Sequence, residues 1–392
     1  MKQFNGNFTQ QEPMSEATIA RAVDVMRSGR LHRYNLKADE IGEVALLETE
    51  YAAWQGRNYC LAVTSGGQAM QIALRAVGVK PKDKVLTNAF TLAPVPGAIE
   101  AVGGETILVE IDENLRIDLV DLDAKAASSG AKVLLLSHMR GHLCNMDKLM
   151  EICKAHKIEV VEDCAHTMGS KWNGVRSGNF GKAACFSTQT YKHINSGEGG
   201  LLVSNDAELI ARATIFSGSY MLYERHGTAP SPEIFETVKY ETPNCSARMD
   251  ALRAAILRPQ LESLDGNVQR WNERYDALAI VLANAPLAVL PNRPKREHMV
   301  GSSLQFRVPS FGPIQCQAFV AQALERGVEL KWFGSDSPLG FTSNHHSWQY
   351  INAQKLDQTD RIMATLFDLR LPLTFSVEDC VLVGEIIVEV LK

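Results

Sequence analysis

The stretch from Val160 to Asn205, VVEDCAHTMGSKWNGVRSGNFGKAACFSTQTYKHINSGEGGLLVSN, decides how the chain is read. An apolar run closes on Asp163, a segment of small residues follows, and Lys192 stands five residues before a Gly-Glu-Gly-Gly turn that leads into another apolar run. A carboxylate at a strand end and an amine on a tight loop, 29 positions apart, suit opposite sides of one flat, charged molecule.

Working outward, the same alternation repeats on both sides. Tyr59 to Val63 reads as a strand ending in Thr64-Ser65-Gly66-Gly67, followed by the helix GQAMQIALRAV. Free backbone N–H groups and the positive end of a helix make such a turn a phosphate seat, although many strand-to-helix turns carry glycine for geometry alone. DKVLTNAFTLAPVPGAIEAVGGETILVEID gives a strand, an irregular turn, a helix and a strand. IDLVDLDAKAASSG, at 117–130, reads as a helix, AKVLLLSH as a buried strand, and MDKLMEICKAHK as the helix before the strand IEVVED. Strands alternating with helices predict a mostly parallel sheet covered on both faces, with ligands beyond the carboxyl ends of the strands, where Asp163 falls.

Toward the N-terminus, residues 14–28 space Ile19, Ala22, Val23 and Met26 at helical intervals, with Ser15 as N-cap and Gly29 as stop. Ile41 to Trp54 reads as a second amphipathic helix. Residues 217–243 show no clear period and read as a long functional loop. A helix from Asn267 to Asn284 opens a smaller α+β domain with strands SSLQFRVP and VELKWF, a helix CQAFVAQALERG and a closing helix near Val377 to Leu391. The chain therefore divides into a large domain, 1–265, and a small one, 266–392. Trp332-Phe333-Gly334 and FTSNHHSWQY, at 341–350, are candidates for a substrate mouth or for core.

Composition excludes several classes. A net charge of −5 without a basic stripe argues against nucleic acid, and no apolar run is long enough to cross a bilayer. The polar start MKQFNGNFTQQEP lacks the apolar core of a secretory signal, and eight scattered cysteines read as reduced thiols, which together predict a cytoplasmic protein. His138, His142 and Cys144 are the one candidate metal cluster, and loop packing is the reading preferred for them.

The central stretch resembles the DegT/DnrJ/EryC1/StrS family of sugar aminotransferases among the fold-type I pyridoxal phosphate enzymes. Asp163 with His166, and Phe186, Ser187, Lys192, Gly197, Glu198, Gly199 and Gly200, match its Glu-Asp strand end and its Phe-Ser-x-x-x-x-Lys-x-x-x-x-Gly-Glu-Gly-Gly frame. His138, Gly141, Met146 and Asp147 match a family loop, and Arg248, Met249, Leu252, Ala254, Ala255, Gln260 and Leu261 a family helix. Taken singly, a loop lysine is a solvated charge, a strand-end acid a helix cap, and Ser-Gly only a turn; what needs explaining is their occurrence in one frame.

The resemblance implies a seven-stranded large domain binding pyridoxal 5′-phosphate. It implies covalent attachment at Lys192, Asp163 at the pyridine nitrogen, His166 near the ring hydroxyl, and Gly66, Gly67 and Ser187 at the phosphate. Leu92 stands where the family stacks an aromatic on the ring, with Phe90 nearby, and Gly67 replaces a threonine. Ser246, with Asn244 two residues earlier, occupies the position of an asparagine that reaches the neighbouring subunit's phosphate, and Arg33 and Tyr34 lie where relatives approach the site. The implied activity is ping-pong transfer of an amino group from glutamate or glutamine to a keto sugar, commonly nucleotide-linked, or a cyclitol, in a homodimer. A non-sugar ketone, a relation to the sugar dehydratases, and a fold kept for regulation without turnover are the alternatives. Some dehydratases carry histidine in place of the lysine, so Lys192 favours transfer.

Overall fold

The computed structural model describes residues 2–37, 39–340 and 342–392. Phe341, within the stretch read as a possible substrate mouth, lies outside the described residues.

Five-residue apolar runs form the seven strands of one sheet: β1 Tyr59–Val63, β2 Lys84–Asn88, β3 Glu105–Val109, β4 Val133–Ser137, β5 Glu159–Asp163, β6 Ala183–Ser187 and β7 Gly200–Ser204. The spatial order is β1-β7-β6-β5-β4-β2-β3. β7 pairs antiparallel with both β1 and β6, and the other pairs are parallel. The α/β architecture read from the sequence is therefore the one observed.

Side chains two residues apart share a face, so each strand feeds two cores. Leu61, Val63, Cys185 and Leu202 pack with the helices Gly66–Ala76, Pro94–Ala101 and Ala207–Ser217. Cys60, Ala62, Phe186, Leu201 and Val203 pack on the opposite side with Tyr51 of the helix Glu43–Gln55 and Leu257 of the helix Ala251–Leu282.

Register aligns the strand ends. Ser137 is opposite Asp163, Asp163 opposite Cys185, and Ser187 opposite Gly200. The carboxyl ends of β4, β5 and β6 thus meet the start of antiparallel β7, and the Gly-Glu-Gly-Gly turn lies against the β1 turn. A Cβ on Gly200 would come within 2.3 Å of the Ser65 backbone, so glycine is what permits that approach.

The N-terminal helix runs Glu16–Ser28, with the Ser15 side chain accepting from Thr18 N–H and Gly29 left-handed at the other end. Two expected features differ. The segment 217–243 contains a helix, Pro232–Val238, whose Phe235 and Val238 pack under Ala211 and Ile215. The two helical stretches read around Arg248 and after Asn267 are one 32-residue helix, Ala251–Leu282, which continues through Pro259. A helix-interior proline costs about 3 kcal/mol; burial of Leu257, Leu261 and Leu264 around it offsets that cost.

The helix crosses from the large sheet to a three-stranded antiparallel sheet, Ser303–Arg307, Leu366–Arg370 and Lys331–Trp332, covered by the helices Pro313–Glu325 and Val377–Val390. Phe4 and Phe8 join this second core, so the N-terminal segment packs with the C-terminal body. The 265/266 boundary falls within the helix that the two bodies share.

Arg33 is buried, with two guanidinium nitrogens each 3.0 Å from a Glu48 carboxylate oxygen and one 2.9 Å from His226 Nδ1. Tyr34 Oη lies 2.8 Å from His226 Nε2. Both residues, read as approaching the site, hold this network within the chain. Burial alone would raise the Glu48 carboxyl, but the charges and hydrogen bonds of Arg33 and His226 outweigh it and hold the group at about 2.

Glu48→Gln leaves Arg33 as an uncompensated buried cation and is expected to cost about 3–5 kcal/mol of folding stability at neutral pH. A folded pKa below the unfolded value gives stability that is complete above the unfolded pKa and is lost as pH falls toward about 2. The difference between wild type and variant in chemical denaturation should therefore shrink on acidification below the ordinary glutamate range. A difference independent of pH down to that point would show that Glu48 is not ionised in the fold.

Candidate active site

The aligned strand ends enclose a cavity of about 400 Å³. Lys192, Asp163, His166, Ser187, Gly66, Gly67 and Leu92 all line it. Asn244 and Ser246 do not: they are exposed, and Asn244 Oδ1 accepts from the Ser246 backbone N–H at 3.0 Å. Within one chain they contribute nothing to the cavity.

Asp163 is 5% exposed, at the end of β5. One carboxylate oxygen accepts from the Ser137 hydroxyl at 2.8 Å and the other from the Ala165 backbone N–H at 3.1 Å. Ser137 in turn accepts from the Thr91 hydroxyl at 2.7 Å, and its own N–H donates to Asn88 Oδ1 at 2.9 Å. The acid is thereby oriented by a chain of hydroxyls drawn from neighbouring strand ends. That relay was not singled out from the sequence, although Ser137 closes an apolar run just as Asp163 does.

The preceding acid, Glu162, faces the other way. It is fully buried and accepts from Gly178, Phe180 and Gly181 N–H groups and lies 3.0 Å from His138 Nε2. His142 instead meets Gln305 Oε1 at 2.7 Å, and the Cys144 thiol turns to the Met146 sulfur at 3.6 Å. The three residues considered as a metal cluster therefore go to three different partners.

Lys192 is half-buried, with its Nζ 3.2 Å from His166 Nε2. Burial, followed by the Arg140 guanidinium, lowers its amine to about 7, against the opposing pull of Asp163. Burial also pushes His166 well below the ordinary histidine range, helped by the charges of Lys192 and Arg140. Near neutrality the cavity thus contains a neutral imidazole and an amine in equilibrium with its unprotonated, nucleophilic form.

At another part of the wall, Ser65 caps the helix Gly66–Ala76 by accepting from Gln68 N–H at 3.1 Å. Gly66 approaches Ser187 so closely that an added Cβ would lie 2.8 Å from the Ser187 Cβ. Two hydroxyls and the N–H groups of a helix start form a small concave seat of anion-binding type. Leu92 presents an aliphatic side chain to the cavity and packs against Phe90 and Met139. Phe90 is fully buried, edge-on to Phe333, and is not among the cavity's lining residues.

The donor set fits pyridoxal phosphate: an amine of depressed basicity, a fixed carboxylate, an anion seat at a helix N-terminus and an apolar wall. Sequence reading missed Arg140, Gln189, Tyr191 and Arg370, which also line the cavity. Arg370 comes from LFDLRLPL, a stretch with no motif to mark it.

Residues 13–388 match the DegT/DnrJ/EryC1/StrS aminotransferase family. The chain is 30% identical over 294 residues to 3-amino-5-hydroxybenzoate synthase of Amycolatopsis mediterranei, covering 73% of this chain and 72% of that protein. It is 32% identical over 268 residues to dTDP-3-amino-3,4,6-trideoxy-alpha-D-glucose transaminase of Streptomyces venezuelae, covering 68% of this chain and 63% of the relative. Among solved structures, 3-amino-5-hydroxybenzoic acid synthase superposes with a TM-score of 0.82 at 25% identity, over 99% of this chain and 98% of that one. The fold is that of the fold-type I pyridoxal phosphate enzymes.

Proposed function

The chain belongs to the DegT/DnrJ/EryC1/StrS aminotransferase family, and on that premise we propose that it moves an amino group from glutamate or glutamine to a keto sugar or cyclitol with pyridoxal 5′-phosphate, by a ping-pong mechanism. The observation that carries this reading is the cavity in which Lys192 and Asp163 share one wall system with the seat formed by Gly66, Gly67 and Ser187. The activities of the two relatives, one a dTDP-sugar transaminase and one a synthase of an amino-substituted ring, support an acceptor of that size.

When bound, pyridoxal phosphate supplies an electron sink for negative charge at the substrate carbon beside the transferred nitrogen. Asp163, held by Ser137 and Ala165, would keep a proton on the ring nitrogen. Ser187, Gly66 and Gly67 would hold the phosphate. Lys192 would bond the cofactor and, once released by the amino donor, carry a proton to and from the reacting carbon. His166, neutral through burial and its cationic neighbours, would orient the amine without competing for its proton. Leu92, Val95 and Met139 form an apolar wall that excludes water from the reacting end.

The depressed basicity of Lys192 gives a pH prediction. The unprotonated amine is the reactive form, so the rate at which the cofactor-free chain takes up pyridoxal phosphate should rise with pH around a midpoint near 7. A midpoint near the ordinary lysine value would show that the cavity does not desolvate the amine.

Seven of the eight cysteines are buried, and all eight are free, which supports a reducing compartment and hence the cytoplasm. No helix among the described residues is long and apolar enough to cross a membrane. The exposed Asn244 and Ser246 support a homodimer in which one of them reaches the partner's cavity. Mixed dimers carrying Asn244→Ala in one subunit should release cofactor faster from the other; unchanged retention would remove this assignment.

The test of the function is a single turnover. Cofactor-loaded protein mixed with glutamate or glutamine should release one 2-oxo acid per subunit without any acceptor present. No 2-oxo acid from either donor would overturn the aminotransferase reading.

A further inference from the structure

Cations outnumber carboxylates at one part of the cavity. Arg370 ends the strand Leu366–Arg370 and lines the cavity half-buried, with its guanidinium carbon 3.7 Å from the centre of the Tyr191 ring. Arg140 lines it as well, buried, with a backbone φ of +54° that turns the loop after β4. One Arg140 guanidinium nitrogen lies 2.8 Å from Asp368, and its Nε has no hydrogen-bond partner. Lys331, in register with Asp368 across the small sheet, has a buried Nζ that is also without a hydrogen-bond partner.

Asp368 pairs with Arg140, and its charge acts on Lys331 and Arg370 as well. It is fully buried and already accepts from Gln305 at 2.8 Å. Among the described residues neither Arg370 nor Lys331 forms an ion pair with a carboxylate. The consequence is visible in their basicity. Burial lowers Arg370, with Arg140 as the next cause, and burial brings Lys331 down to about 8. These groups also hold down Lys192, so the excess charge acts at the reacting end of the cavity.

Resting on the aminotransferase reading, we propose that Arg370 and Arg140 form a carboxylate seat beside Lys192, and that the keto acceptor carries a carboxylate near its ketone. The guanidinium fork matches a carboxylate in shape and charge. In a ping-pong reaction both substrates use the same cavity in turn, so the seat would take the amino donor's α-carboxylate first. A neutral acceptor would then displace water from the two guanidiniums and return no charge, which leaves the half-buried Arg370 without a carboxylate partner. A nucleotide diphosphate on a keto sugar does not serve the same purpose, because its charge is joined beyond the sugar ring from the ketone.

The test uses a matched pair of ketones, 3-oxocyclohexane-1-carboxylate and its neutral carboxamide. The holoenzyme is first converted to its amino form with glutamate or glutamine, and the return of its original absorption is then followed with each probe. The carboxylate should react about 10–100-fold faster, the range for a hydrogen-bonded charged group. Arg370→Gln should abolish the preference, and Arg370→Lys should retain part of it. Equal rates, including none from either probe, or a preference untouched by Arg370→Gln, would overturn the proposal.

A second readout needs no turnover. Cyclohexanecarboxylate titrated into the cofactor-free chain by calorimetry should bind to wild type and not to Arg370→Gln, with the carboxamide binding to neither. Binding of this kind without a preference in the acceptor step would assign the seat to the donor alone and overturn the acceptor claim. Failure of the aminotransferase reading is distinguishable, because neither glutamate nor glutamine would then produce the amino form before either probe is added.

Discussion

Lys192→Ala should lower turnover by at least about 10⁴-fold, the upper end of what a positioned general acid–base contributes. The fold should survive the change, since Lys192 is half-buried on a loop and its amine meets His166. Two losses coincide in the variant: the covalent hold on the cofactor and the proton carrier at the reacting carbon. They separate experimentally. Added small amines can restore proton transfer in solution but not the covalent hold, so amine rescue of a slow half-reaction with retained thermal stability would support both roles. A variant with wild-type turnover would exclude Lys192 from the chemistry altogether.

Asp163→Asn should be the second largest effect, a loss of about 10²–10³-fold in kcat, the scale seen when one electrostatic contact to developing charge is removed. The substitution keeps the shape of the side chain and leaves one oxygen for the Ala165 N–H, while the Ser137 hydroxyl, which donates to the other carboxylate oxygen in the wild type, must turn to accept from the new amide. What it removes is the negative charge that would keep the cofactor's ring nitrogen protonated. The loss should therefore appear in kcat more than in cofactor affinity. Equal kcat with weakened cofactor binding would make Asp163 a binding residue only.

Most of the large domain was legible because its strands are short apolar runs closed by polar residues and separated by capped helices. Ser15 and Gly29 bracket the first helix as their chemistry dictates, and the register of Ser137, Asp163 and Ser187 follows from each closing its own run. Lys192 and Asp163 were readable because the frame around them is local: glycines that allow Gly200 to meet Ser65 leave a fixed mark in sequence.

Other features depend on contacts across long separations. The helix around Arg248 and the one from Asn267 read as separate stretches, yet side chains packed on both sides of Pro259 hold one helix through the proline. Arg33 and Tyr34 were singled out only by where relatives approach the site; within the chain they meet Glu48 and His226, and nothing near positions 33 and 34 announces those partners. Arg370 and Arg140 come from widely separated parts of the chain to one cavity. Their pairing depends on how the small sheet sits against the loop after β4, which no periodicity records.

The covalent claim rests on one amine, and the most direct test is to trap it. Reducing the pyridoxal phosphate-loaded protein with borohydride, digesting it and mapping the added pyridoxyl mass should place the label on the peptide containing Lys192. Lys331 is the natural control, since it is the other lysine of strongly lowered basicity near this cavity. Label on Lys192 alone is the result this account predicts; label on Lys331 or on surface lysines, with Lys192 unmodified, would contradict it.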